Sequence, residues 1–280
     1  MTTTRTAIRV LLLIACPLIA GCQRHVVVEP HVPEGTISRY PAAADLAGRP
    51  LDDIAVQAVR TVSDRPLTTQ TIRRTAEEAK PAVVAVRSRS RRLLGIAEWR
   101  SLGSGFFIHP SGLILTNEHV IKSRDEITVR THAEEEYDAT VVARHEAWDL
   151  ALLRIEADEP FPVIAMGDSD AVDVGEMAIA IGHPFGLGYT VTFGIISKRP
   201  RQSASDDEDD PRKGFLQTDA ILHPGSSGGP LITVDGAWVG VNMGGLSDAA
   251  GIGFAIPSSR VREFLNSVTS GGQGPANPLR

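Results

Sequence analysis

The stretch Gly225-Ser226-Ser227-Gly228-Gly229-Pro230-Leu231 sets a serine among glycines, an arrangement that suits a backbone approaching a substrate closely where side chains would obstruct it. Ser227 is the candidate nucleophile. A serine hydroxyl attacks poorly at neutral pH unless a base stands within hydrogen-bond reach and a carboxylate holds that base in the right tautomer. His119, at the end of the apolar run Leu115-Thr116-Asn117-Glu118-His119-Val120, is the candidate base. Asp149 opens Asp149-Leu150-Ala151-Leu152-Leu153, and a carboxylate abutting so apolar a run is tolerated only when paired, which an imidazole N–H would achieve. The chain order is histidine, aspartate, serine. An α/β-hydrolase would share Gly225-Ser226-Ser227-Gly228-Gly229 but needs its histidine after the serine, and the last histidine here is His223.

Other chemistries lack their residues. Cys16 and Cys22 are the only cysteines, so residues 23–280 hold no thiol for a nucleophile, a disulfide or a zinc–thiolate site. His109, His132 and His145 have no partners at ligand spacing and read as surface imidazoles, so neither a metal nor another cofactor is expected. With 28 Lys and Arg against 34 Asp and Glu, the formal charge is −6, which leaves no basic footprint for nucleic acid. Hydrophobic residues at 42% and charged residues at 22% exclude a disordered, collagen-like or multi-spanning chain.

The elements that must position these residues are short. Thr71 reads as the cap of a helix stopped by Pro81. After it, β-rich runs between turn signals fall at 82–87, 102–108, 113–116, 126–131, 137–144 and 150–155, then at 177–181, 189–198, 214–218, 230–233, 237–242 and 252–256. Asp235-Gly236 suits a two-residue primed hairpin turn, and Ser258 reads as the cap of a last helix to about Val268. Few helices and two sets of short strands predict an all-β fold of antiparallel barrels or sandwiches.

These stretches, with Gly103-Ser104-Gly105-Phe106-Phe107-Ile108, Gly182-His183-Pro184-Phe185-Gly186-Leu187-Gly188, Thr218-Asp219 and Gly251-Ile252-Gly253-Phe254-Ala255-Ile256-Pro257, resemble the protease domain of the HtrA/Deg family of trypsin-like serine endopeptidases over about residues 71–268. The resemblance implies a trypsin-like double six-stranded antiparallel β-barrel, about 71–165 and 175–257, within a domain of 71–270 that keeps the short N-terminal and C-terminal helices. It also implies that Ser227 attacks the scissile carbonyl, His119 moves the proton and Asp149 orients the imidazole. The Gly225-Ser226-Ser227 backbone would form the oxyanion hole through the N–H groups of Gly225 and Ser227. Protein substrates, trimeric assembly and protein quality control are the family's habits, and the resemblance carries them as expectations.

This chain departs from the pattern at Ser226, where the family usually has Asn and digestive proteases Asp, so activation by a new N-terminal ammonium is not available. Neighbouring loops or subunits would have to order the oxyanion loop, which keeps open a latent enzyme or an inactive scaffold that binds polypeptides. His183 and His223 each replace an Asn and read as structural or solvent-facing. By position relative to Ser227, the specificity pocket comprises Ile221, Leu222, His223, Asn242, Met243, Gly244, Gly253 and Phe254. With no acid at its base and Phe254 narrowing it, cleavage after small or medium aliphatic residues is expected.

Met1–Arg9 carries Arg5 and Arg9 with no acid, and Val10–Ala20 is an apolar run too short to span a bilayer, as in a secretory signal. Its ending, Leu18-Ile19-Ala20-Gly21-Cys22, resembles the bacterial lipoprotein box. That resemblance implies acylation of Cys22, anchorage in the lipid bilayer and a location in the bacterial cell envelope facing the periplasm or extracytoplasmic space. Residues 23–70, with five prolines, read as a tether, and 271–280 as a flexible tail with no room for a PDZ domain. The acidic run Ser205-Asp206-Asp207-Glu208-Asp209-Asp210 reads as a solvated loop.

Overall fold

The computed structural model describes residues 38–39, 45–55, 68–90, 98–122, 126–183, 188–200, 214–245 and 251–270. The signal segment with Cys22, Pro184–Leu187, the acidic run 205–210 and the tail 271–280 lie outside the described residues. Among the described residues no helix is long and apolar enough to cross a membrane.

The first half contains β1 (Ser38–Arg39), α1 (Thr69–Ala79), β2 (Val83–Ser90), β3 (Glu98–His109), β4 (Leu113–Thr116), the single turn α2 (Glu118–Ile121), β5 (Glu126–Arg130), β6 (Glu136–Asp138), β7 (Thr140–His145) and β8 (Leu150–Arg154). Its strands form one sheet in the order β1-β7-β8-β4-β3-β2-β5-β6. The run expected as one strand is split at Ala139, whose N–H bonds to the Ile127 carbonyl, so one bent strand supplies both β6 and β7. The sheet therefore curls back on itself as a half-barrel without a closed hydrogen-bond ladder. The second half, β9 (Met177–Gly182), β10 (Thr190–Lys198), β11 (Leu216–Thr218), β12 (Pro230–Thr233), β13 (Trp238–Gly245) and β14 (Gly253–Pro257), is a closed barrel, followed by α3 (Ser258–Thr269).

Why the strands read as continuous apolar runs follows from where their two faces point. Along β4, Ile114 enters the interior of the first sheet with Phe107 and Leu153, while Leu113 and Leu115 face a seam between the sheets. Along β9, Ala178 and Ala180 line the second barrel, whereas Ile179 and Ile181 face the same seam. Successive strand side chains alternate faces, so a strand buried on both sides needs an apolar residue at every position. Phe106 and Trp238 meet edge-on across the seam at 5.3 Å between ring centroids. α3 closes the seam with Val261, Phe264, Leu265 and Val268, the spacing of one helical face.

Part of the expected tether belongs to this body. Leu46, Ile54 and Ala55 are fully buried in the seam, Gly48 N–H bonds to the Thr269 carbonyl at 2.6 Å, and β1 pairs with β7. Three apolar side chains in a Pro-rich stretch carry too little periodicity to reveal this before the seam exists.

The caps also differ from expectation. Thr68, not Thr71, caps α1, its hydroxyl accepting the Thr71 N–H at 3.1 Å. Ser258 is the first residue of α3, and its hydroxyl instead donates to the Gly167 carbonyl and accepts from Ser169 N–H. At the 233–237 hairpin only Gly236 has positive φ (+87°), and Gly236 N–H bonds to the Thr233 carbonyl, so the turn carries one extra residue and is not the two-residue primed turn.

Candidate active site

β4 ends at Thr116, and the chain makes one helical turn, α2, before β5. That turn carries His119. The tight turn from β7 into β8 carries Asp149, which adopts a left-handed backbone (φ +53°), a conformation aspartate tolerates better than most residues. The two residues dock doubly. Asp149 Oδ2 lies 2.7 Å from His119 Nδ1, and Asp149 Oδ1 accepts the His119 backbone N–H at 2.9 Å. Asn117 Nδ2 donates to the Asp149 carbonyl at 3.0 Å, tying the two turns again. With Nδ1–H given to the carboxylate, neutral His119 presents Nε2 as an acceptor. Burial pushes the His119 pKa down, but the Asp149 hydrogen bond, the Asp149 charge and the Glu118 charge outweigh it, and the net displacement is upward.

Ser227 lies on a loop of the second barrel whose backbone hydrogen bonds can be counted one by one. Ser226 N–H bonds to the His223 carbonyl at 2.8 Å, Gly228 N–H to Asn242 O at 2.8 Å and Gly229 N–H to Ser226 O at 3.0 Å. The Gly225 carbonyl accepts from the Ser104 hydroxyl, the Ser227 carbonyl from Ser104 N–H and the Gly229 carbonyl from Asn242 N–H. Among the described residues, no hydrogen bond is donated by the N–H groups of Gly225 and Ser227. Both residues are half-buried, and backbone donors removed from water are usually paired, so two such N–H groups two residues apart stand out. Gly225 (φ +92°) and Gly228 (φ +86°) supply the left-handed conformations that this loop requires.

The Ser227 hydroxyl donates to the Met243 carbonyl at 2.9 Å, and no hydrogen bond joins it to His119 in this structure. Met243 sits at a register irregularity of β13, between Asn242 and Gly244, which turns its carbonyl toward the serine. The two halves nevertheless meet here. A β-carbon built on Gly103 would lie 2.6 Å from the Val120 side chain, next to His119, and 3.1 Å from the Ser227 carbonyl.

The expected pocket residues separate. Leu222 lies over Gly253, with its Cδ1 3.0 Å from where a β-carbon would stand, and Gly244 (φ +149°) has open space beside it. Ile221 is 56% exposed and His223 is exposed. Asn242 is fully buried with Nδ2 bonded to the Pro230 carbonyl, and Phe254 faces the seam, because β14 alternates Gly253 and Ala255 toward one side and Phe254 and Ile256 toward the other. Phe254 packs into the core with Ile256, and Leu222 is the apolar side chain that lies against Gly253. Ser226 is buried against Gly182, and its N–H is spent on His223.

Two histidines are buried, and of these His145 departs from the surface reading. His145 is buried, stacked on Trp148 at 4.3 Å, with Nδ1 accepting the Trp148 N–H, and burial pushes its pKa down to about 4. His183 is buried edge-on to Tyr189 and likewise shifted down by burial. The sequence does not single out Asn117, the buried carboxylate of Glu118, which lies 3.6 Å from Arg144, or Ser104 as site residues. Only Ser104 had a local signal, its place between two glycines.

Residues 103–241 match the trypsin-like peptidase domain. The chain is 42% identical over 188 residues to the putative serine protease HhoA of Synechocystis sp., an alignment covering 67% of this chain and 46% of that protein. It is 45% identical over 179 residues to a probable periplasmic serine endoprotease DegP-like of Marinomonas sp., covering 62% of this chain and 36% of the relative. It is 42% identical over 190 residues to the serine protease HTR4 of Rattus norvegicus, covering 68% and 38%. The chain thus spans less than half the length of these relatives. Matching segment, two sheets around one seam and the clustered turns agree: the chain contains a trypsin-like peptidase domain whose homologues are HtrA/DegP-like serine proteases.

Proposed function

We propose that the protein is a serine endopeptidase in which Ser227 is the nucleophile, His119 the general base and acid, and Asp149 the residue that orients and stabilises the imidazolium. The observation that carries this reading is the pair of N–H groups, Gly225 and Ser227, that donate to none of the described residues, on a loop where the N–H groups of Ser226, Gly228 and Gly229 are all engaged. They suit an oxyanion. The Ser227 Oγ–carbon bond forms as its proton passes to His119 Nε2, and the carbonyl oxygen takes the negative charge between the two N–H groups. The carbon–nitrogen bond then breaks as His119 returns the proton to the leaving amine. Water, deprotonated by the same imidazole, hydrolyses the acyl ester. The neutral tautomer fixed by Asp149 makes Nε2 the acceptor in the first step.

For substrates, the apolar Leu222 over Gly253 favours small or medium aliphatic side chains before the cleaved bond. Two DegP-like relatives, of Marinomonas sp. and Chlamydia pneumoniae, are described as periplasmic. With the lipoprotein-like box at Cys22, this supports an envelope protein, anchored through Cys22, that cleaves misfolded or exposed protein segments, with a homotrimer as the assembly to test.

A second reading, a latent enzyme or a polypeptide-binding scaffold, is favoured by one contact: the Ser227 hydroxyl is bonded to Met243 O and not to His119. Labelling the full chain in detergent with a fluorophosphonate separates the two. Labelling of the wild type but not of Ser227→Ala or His119→Ala supports the peptidase, whereas a folded wild type that resists the probe supports the second reading.

A further inference from the structure

Ser104 is fully buried in the middle of β3, and every polar atom it owns is used. Its N–H donates to the Ser227 carbonyl at 2.8 Å, and its hydroxyl donates to the Gly225 carbonyl at 2.6 Å. The same hydroxyl accepts the His183 N–H at 2.8 Å, and its carbonyl accepts the Thr116 hydroxyl at 2.7 Å. β3 belongs to the first sheet, whereas Gly225, Ser227 and His183 belong to loops of the second barrel. One side chain therefore joins both halves at the nucleophile loop.

The consequence falls on the two free N–H groups. Gly225 has no β-carbon to restrict it, so its peptide planes turn readily unless something holds them. The Ser104 hydroxyl holds the plane that carries the Gly225 carbonyl, and the Ser104 N–H holds the plane that carries the Ser227 carbonyl. The intervening Ser226 is fixed at both ends by His223 and Gly229. The Gly225 N–H lies in the preceding plane, related to the held plane of the Gly225 carbonyl only through the φ and ψ of Gly225, and the Ser227 N–H lies in the plane of the Ser226 carbonyl, between the two planes that Ser104 holds. The donor must also be short, because the strand and the loop nearly touch. A β-carbon on Gly228 would stand 2.1 Å from the Ser104 carbonyl oxygen and 2.4 Å from Thr116 Oγ1.

We propose that Ser104 is a positioning residue for the reaction, the group that holds the Gly225 and Ser227 N–H donors in register from the opposite sheet. This rests on the endopeptidase reading above. The test compares wild type with Ser104→Ala in the full chain, measuring the second-order rate of fluorophosphonate labelling, kcat and KM on fluorescein-labelled casein, the pH profile and the melting temperature.

Misplaced donors act on the transition state, so labelling and kcat should fall together by about 10- to 100-fold, with KM within about twofold. The acid limb of the pH profile should stay in place, because the His119–Asp149 pair is untouched. Rates within about twofold of wild type, a rise in KM that accounts for the loss, or a displaced acid limb would each overturn the proposal. If the alanine variant does not fold, Ser104→Cys, whose thiol fills similar space but donates weakly, is judged by the same criteria. A wild type that fails to label refutes the endopeptidase reading and this inference with it. An active wild type matched by its variant refutes this inference alone.

Discussion

His145 gives the turn that carries Asp149 a built-in dependence on pH. Its Nδ1 accepts the Trp148 N–H at 3.1 Å, its ring stacks on Trp148 at an interplanar angle of 8°, and the Asp149 N–H closes the turn on the Glu146 carbonyl. Only neutral imidazole can accept at Nδ1. Burial, assisted by the Arg260 charge, lowers the His145 pKa from 6.5 to about 4. Between those values the unfolded chain binds a proton that the folded chain does not, so stability is full above about pH 6.5 and falls as the pH falls toward 4. From pH 8 to pH 5 the linkage amounts to at most about 2 kcal/mol.

Urea unfolding of wild type and His145→Asn at these two pH values checks the magnitude. The asparagine carbonyl can still accept the Trp148 N–H but does not titrate, and it forfeits the ring stack. The variant should therefore be the less stable protein at pH 8, by about 1–2 kcal/mol, and its deficit should shrink by up to about 2 kcal/mol at pH 5. A deficit that is constant or grows on acidification refutes the reasoning, as does an NMR titration that places the His145 midpoint near 6.5.

Further outcomes follow from the same geometry. Asp149→Asn should keep the fold and lower kcat on casein by about 10⁴-fold, because the amide favours the wrong His119 tautomer; retention of activity within tenfold would remove Asp149 from the triad. Glu118→Gln deletes a buried charge that raises the His119 pKa, so the acid limb of kcat/KM should move to lower pH, and a limb that stays or rises contradicts the assignment. Gly228→Ala would drive a β-carbon into the Ser104 carbonyl at a left-handed φ, and a loss of at least about 2 kcal/mol in urea unfolding is expected.

The boundary between legible and illegible runs through particular residues. Strands at 113–116 and 230–233 are legible to the residue, because each is a short run bounded by turn formers. The candidate nucleophile's loop is legible for a related reason: Gly225 and Gly228 mark a backbone conformation that only glycine adopts cheaply, and Ser227 stands between them. His145 reads as a surface imidazole but is buried, since nothing in the local sequence says that Trp148 will stack on it. Phe254 packs with Ile256 into the seam, which the sequence does not reveal, because alternation along a strand gives two faces without saying what each one meets.

The sequence alone determined the all-β class, the order of the chemical groups and the residue types available, because periodicity, glycine placement and the absence of cysteine after Cys22 are local properties. Tertiary structure decided what those groups do to one another. His119 and Asp149 meet only when two turns of the first sheet close together, and the Ser227 loop is held by a serine from the opposite sheet. Part of the Pro-rich N-terminal stretch becomes core only because α3 and the two sheets leave a seam for Leu46, Ile54 and Ala55 to fill. Contacts between residues far apart in the chain leave no periodic trace, so the free N–H pair and its support become visible only in the folded chain.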